Sequence, residues 1–338
     1  MLAVEKSVKQ ISHCKPGDIP EFVLSSTQPL ILKDFAAEWP LVQAGKHSTQ
    51  AAIDYLLQFY SGVPVTACFG ESEHQGRVFY NEQLTGFNFR ASQVDLRQVF
   101  DKLLSHIDDE TPPTLYVGST EVNRWLPGFA ADNPLAIDDI KPLTSVWIGN
   151  QSRIAAHFDF PNNLACSAVG RRRFTLFPPE QIDNLYVGPM ELSPGGQDIS
   201  MVDFHAPDFD KYPKFELALE AAQVAELEPG DALFIPSMWW HHVEALDAIN
   251  VLVTHWWRDS AAYMGRPTNA LQHAILSLRS LPIAQRKAWQ AMFNHYVFEH
   301  ELHDTDHIAE HAQGMLSLPI DELSARKLRA ELQNKLKR

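Results

Sequence analysis

Between Thr114 and Trp257 the chain is a succession of short β-type runs with no helical segment regularly set between them. This feature constrains the fold more than any other. Thr114 to Gly118, Ser145 to Gly149, Leu164 to Val169, Arg172 to Phe177, Ala232 to Ile235 and Ile249 to Trp257 are each rich in β-branched, aromatic and other apolar residues. Turn formers separate them, notably Pro229-Gly230, a pair suited to the two central positions of a type II turn. Parallel sheets need crossover helices, so this pattern predicts an antiparallel barrel or jelly roll. Upstream, Gln28 to Asp34 reads as a strand leading to Trp39-Pro40, Ser48 to Tyr60 as a helix, and Val63 to Phe69 as a strand. The expected N-terminal third is therefore a mixture of α and β elements.

After Arg266-Pro267 the pattern changes. Trp289, Met292, Phe293, Tyr296 and Val297 recur at i, i+3, i+4, i+7 and i+8, one stripe of an α-helix, and Leu328, Leu332 and Leu336 repeat helical spacing. The expected division is residues 1–266 as the β-rich domain and 267–338 as a helical region. Its large apolar side chains would pack on the barrel or pair two copies into a homodimer.

Composition narrows the function classes. Acidic residues outnumber basic ones by 42 to 28, a net charge of -14 that disfavours nucleic acid as a partner. No run of about 18 apolar residues exists to span a membrane, and Met1 to Lys9 lacks the apolar core of a secretory signal. Cys14, Cys68 and Cys166 are odd in number and widely spaced, which fits a reducing, cytoplasmic setting.

The chemistry concentrates in three segments. In IAAHFDFPNN, His157 and Asp159 are two apart. On an extended chain that places both on one face, roughly 6–7 Å apart at Cα, close enough to share an ion. In PSMWWHHV, His241 and His242 stand in an aromatic loop entering a strand. Two histidines and a carboxylate make the facial triad of non-haem iron(II), with positions left open for a 2-oxo acid and dioxygen. Adjacent strand residues face opposite sides, so only one of the two histidines reaches the ion. In RRRFTLF, Arg172 shares a face with Phe174 and Leu176; if that face is the interior, a buried guanidinium points inward and needs an anion. The candidates are the distal carboxylate of a 2-oxo acid or an internal Asp or Glu.

These segments, in order with QPLILKDFAAEWP, GRRRFTLFPPEQIDNLY, VDFHAPDFDKYPKF and LEPGDALFIPSMWWHHVEAL, resemble the cupin-like, JmjC-type hydroxylases, which include the asparaginyl hydroxylase of hypoxia-inducible factor. The resemblance implies a double-stranded β-helix and an oxygenase that uses iron(II), 2-oxoglutarate and dioxygen on a protein side chain or a small molecule. It favours His241 over His242 as the second histidine ligand. It matches Tyr116 and Asn163 to residues around 2-oxoglutarate, and Arg172 and Thr254 to neighbouring positions where lysine and asparagine are usual. Ile154 stands where a hydroxyl residue is common; a bidentate arginine replaces a lysine and a hydroxyl together. N-demethylation and a non-catalytic metal-binding cupin are the alternatives. The HIAEH motif at His307 to His311 is set aside, since the chain has no downstream room for a further protein ligand; with His303 it is expected to mark a polar helix face. Pro178 to Pro213, rich in Gly and Pro, is expected at the substrate entrance.

Overall fold

In the computed structural model the described residues are 4–137, 140–301 and 303–337. The chain forms two compact units, Met1–Arg258 and Asp259–Arg338. Within the first, eight consecutive strands make a jelly roll of two four-stranded faces. One face runs Gln223–Leu227, Arg172–Phe177, Trp240–Ala245 and Arg153–Phe158; the other runs Ala232–Ile235, Asn162–Val169, Asn250–Trp257 and Leu143–Gly149. Every pairing within these eight is antiparallel. N-terminal strands extend both sheets, including Thr114–Glu121 beside Leu143–Gly149 and Val65–Gly70 beyond it. Chain-local strands that alternate between two facing sheets form a double-stranded β-helix, as the resemblance implied.

Local chemistry accounts for the element ends. The helix Pro40–His47 starts with proline at its first position, and Thr49–Phe59 is capped by the Ser48 hydroxyl, which accepts from Ala51 N at 3.1 Å. At the Pro229-Gly230 turn, Asp231 N donates to Glu228 O at 3.0 Å and Gly230 takes φ +107, the left-handed region the turn requires. All eight residues of Asn162–Val169 are buried, consistent with a strand at the centre of its sheet. Phe174 and Leu176 lie in the core between the faces, so alternation directs Arg172 to the same interior. Each such apolar side chain stabilises the barrel by about 1.5–3 kcal/mol.

The second unit contains the helices Pro267–Leu278, Ile283–Phe293 and Glu322–Leu336, none with a buried residue. The expected apolar stripe is not one α-helical face. A π-turn over Asn294–Phe298 widens the spiral, so Tyr296 and Val297 depart from the period set by Trp289, Met292 and Phe293. His303 and His307 stand in turns, and only Glu310–Gln313 is helical, so the expected polar helix face is absent there. No helix among the described residues is long and apolar enough to cross a membrane.

Candidate active site

A cavity of about 300 Å³ opens between the two faces of the barrel. Its wall includes His157, Asp159, His241, Arg172, Tyr116 and Asn163, together with Thr254 and Ile154. The strands carrying the two histidines are adjacent, with His241 directly opposite His157 in register. Their rings stand 4.3 Å apart between centroids, tilted by 55°. His157 Nδ1 donates to Ala155 O at 2.9 Å and His241 Nδ1 to Trp239 O at 3.0 Å. A carbonyl only accepts, so each ring carries a proton on Nδ1, and Nε2 is the atom left to offer a lone pair when the ring is neutral. Burial, and behind it the neighbouring His157, pulls the His241 imidazole down to about 4. It is neutral at physiological pH.

Asp159 is buried, with Oδ2 3.8 Å from His241 Nε2. Its position comes from a staple between two loops. Met238 N, on a residue in the left-handed region at φ 71, donates to Asp159 O at 2.8 Å, while Ser237 N donates to Asn162 Oδ1 at 2.9 Å. The segment entering the His241 strand is thereby fastened to the turn leaving the His157 strand. His242 lies on the opposite side of its strand, stacked on Phe204 at 4.4 Å and facing Glu244 at 3.8 Å.

Arg172 is 4% exposed, makes no ion pair among the described residues, and leaves its buried Nε without a hydrogen-bond partner there. Burial lowers its guanidinium to about 10, with Tyr116 acting the other way. Burial also raises the Tyr116 phenol above its ordinary range. Asn163 Oδ1 is buried and unpartnered, and Thr254 Oγ1 accepts from Trp147 Nε1 at 2.8 Å. Cys68, also in the wall, is pushed up to about 11 by burial, which keeps the thiol protonated.

Among the described residues no three His, Cys, Asp or Glu side chains stand in a ready-made metal-holding arrangement. The donor types nevertheless fit a divalent ion of intermediate softness: two Nε2 lone pairs and a buried carboxylate on one cavity wall. Arg172, without an ion-pair partner among the described residues, fits an anionic group in the same cavity.

Two further wall residues hold Asp159: Gln197, for which the sequence offers no site role, and Trp256, which with Trp239, Trp240 and Trp257 is expected from sequence as core or as part of a substrate aromatic box. Gln197 Nε2 donates to Asp159 Oδ1 and Trp256 Nε1 to Asp159 Oδ2, each at 3.2 Å. Trp256 shares its strand face with Thr254, so parity carried a signal for it. Gln197 had none beyond its place in the Gly- and Pro-rich loop, of which Pro194, Gly195, Gln197 and Ile199 reach the cavity.

The profile of the family described as cupin-like domain matches residues 16–263. The chain is 32% identical to human HSPB1-associated protein 1 over 282 residues, 79% of this chain and 55% of that protein. It is 34% identical over 125 residues to the lysine-specific demethylase JMJ31 of Arabidopsis thaliana, covering 36% of this chain and 22% of that protein. Lysine-specific demethylase 8 of Xenopus tropicalis is 33% identical over 114 residues, 33% of this chain and 24% of its own. The chain spans about half the length of HSPB1-associated protein 1 and about a quarter of the two demethylases.

Proposed function

Because the chain belongs to the cupin-like domain family, we propose that it is an iron(II)- and 2-oxoglutarate-dependent oxygenase that hydroxylates a protein side chain or a small molecule. The observation that carries this reading is Arg172: a buried guanidinium with no ion-pair partner among the described residues, in one cavity with two histidine Nε2 atoms and the Asp159 carboxylate. A protein that leaves such a charge uncompensated has a ligand to compensate it.

His157, Asp159 and His241 would hold iron(II). Arg172 and Tyr116 would bind the distal carboxylate of 2-oxoglutarate, with Asn163 and Thr254 beside it. Iron(II) with 2-oxoglutarate and dioxygen bound would supply oxidation of a substrate C–H bond to C–OH, yielding succinate and carbon dioxide. The chain's own residues orient and exclude. The backbone carbonyls of Ala155 and Trp239 fix both imidazole tautomers. Ile154, Val78, Phe174, Ile199 and Leu252 line the cavity with apolar surface that excludes water. Arg172, charged at neutral pH, fixes which end of the 2-oxo acid lies innermost. Three well-separated free cysteines support a reducing, cytoplasmic setting.

The names of the two demethylases favour a second reading on the same site, oxidation of an N-methyl carbon with loss of formaldehyde. Anaerobic titration of the iron(II)-loaded protein with 2-oxoglutarate tests the common part. A charge-transfer band is expected, and its absence returns the protein to a non-catalytic metal-binding cupin. Product analysis then separates the two outcomes: hydroxylation keeps every substrate carbon, demethylation releases one.

A further inference from the structure

The Asp159 carboxylate receives one N–H on each oxygen, from Gln197 on Oδ1 and from Trp256 on Oδ2. Each oxygen has two lone pairs, so each retains one. Turning the carboxylate about its Cβ–Cγ bond breaks both hydrogen bonds at once, so the pair of donors fixes its plane. The Gln197 amide is oriented by the same contact, because its oxygen turned toward a carboxylate would be repelled.

The two donors have different supports. Trp256 sits on the Asn250–Trp257 strand with Trp147 against it, 5.6 Å between centroids at 89°, and the Trp147 N–H is held by Thr254. Gln197 follows Gly195-Gly196 in the cavity wall, Gly196 taking φ +86. Immediately downstream this wall is tied to the His157 strand. Ser200 N donates to Ala156 O at 2.7 Å, and Asp203 lies between Arg153 at 3.2 Å and Arg77 at 3.3 Å. Arg153 opens the strand that bears His157. The Gln197 donor is therefore placed by the same strand that places a candidate ligand.

We propose that Gln197 and Trp256 are positioning residues for Asp159, holding its carboxylate plane so that a lone pair meets the same ion as His157 and His241. Gln197 thereby ties the Gly- and Pro-rich wall of the cavity to a candidate metal ligand. The inference rests on the metal reading above, and its test separates the two.

The test uses the full chain, metal-free, titrated with Mn(II) and followed by electron paramagnetic resonance. Gln197→Met keeps length and removes the N–H; Trp256→Phe keeps an aromatic ring and removes the N–H. Each variant is expected to bind Mn(II) about 10–100-fold more weakly, with the thermal midpoint of the metal-free protein unchanged, which a merely structural role would lower. A second measurement needs no metal. Asp159→Ala is expected to shift the Trp256 indole N–H resonance and speed its exchange with solvent. Wild-type affinity in both variants, or an indole resonance indifferent to Asp159→Ala, overturns the proposal. Failure of the wild-type protein to bind Mn(II) overturns the metal reading itself and this inference with it.

Discussion

The strand Trp240–Ala245 has two sides that treat charge in opposite ways. On the outer side, Glu244 receives His205 at 2.5 Å, the neighbouring strand's Arg173 faces Glu226 at 3.6 Å, and Asp203 is clasped by Arg77 and Arg153. His242 packs among these groups against Phe204. On the inner side, His241 and Arg172 share a cavity in which Asp159 is the only carboxylate among the described residues, where neither Arg172 Nε nor Asn163 Oδ1 has a hydrogen-bond partner. Buried charge costs several kcal/mol unless compensated. Outside, the compensation is built into the chain and the charges serve stability; inside, it is withheld, which is what a binding site requires. Substitutions on the two sides should therefore fail differently.

The largest difference is expected between the adjacent histidines. His241→Ala removes a candidate ligand and should abolish divalent-metal binding, while His242→Ala should retain it and lose stability instead, roughly 1–3 kcal/mol for a buried, stacked side chain. Mn(II) titration and urea denaturation of both variants measure this. Equal loss of metal binding in the two would end the distinction between the faces.

The adjacent arginines come next. Arg172→Ala should weaken 2-oxoglutarate binding by about 3–5 kcal/mol, since a buried anion loses its partner. Arg173→Ala, on the other side of the strand, should leave that affinity alone. Arg172→Lys should be milder yet impaired, because lysine cannot bind bidentately and Ile154 offers no hydroxyl. Adding Ile154→Thr should then restore binding. Anaerobic titration of the iron-to-keto-acid charge-transfer band reads all four proteins, and undiminished affinity in Arg172→Ala would place the carboxylate elsewhere.

Much of this contrast was legible in the chain. Strand alternation alone puts Arg172 with Phe174 and Leu176, and the short β runs without intervening helices point to the jelly roll, because both follow from local backbone period. Gln197 was not legible: a loop residue's partner is set by how the wall closes, and no period records that. The π-turn at Asn294–Phe298 was missed for a related reason, since an apolar stripe of the correct spacing does not reveal a local change in helical pitch. That second unit carries several exposed large apolar side chains, with Trp289 44%, Tyr296 45% and Phe298 74% exposed. We propose that this surface pairs two copies of the chain. Light scattering at micromolar concentration should give the mass of a dimer, and Trp289→Glu should shift it toward the monomer; a monomeric wild-type protein would refute the pairing.

The smallest effect concerns a histidine belonging to neither side of the site. His255 lies next to Thr254 but is turned to the other face of its strand, 2% exposed, edge-on to Trp39 at 5.8 Å, with Nδ1 3.0 Å from Thr144 Oγ1 and Nε2 unpartnered. Burial lowers it to about 3. In the unfolded chain a histidine titrates near ~6.5. Between those values the unfolded state holds a proton that the native state refuses, so stability falls as pH falls, by at most about 1.4 kcal/mol per pH unit, or roughly 2 kcal/mol at pH 5. Above ~6.5 both states are neutral and the contribution vanishes. His241 and His242, also depressed by burial, act with the same sign, so the measurement is a difference. His255→Asn should make the loss of stability between pH 7 and pH 5 shallower by about one proton's worth. Urea denaturation of the metal-free protein across that range reads the slope. Equal slopes in wild type and variant would mean that His255 accepts a proton in the folded state, and that the barrel's far side tolerates the charge that Arg172 is left to carry in its cavity.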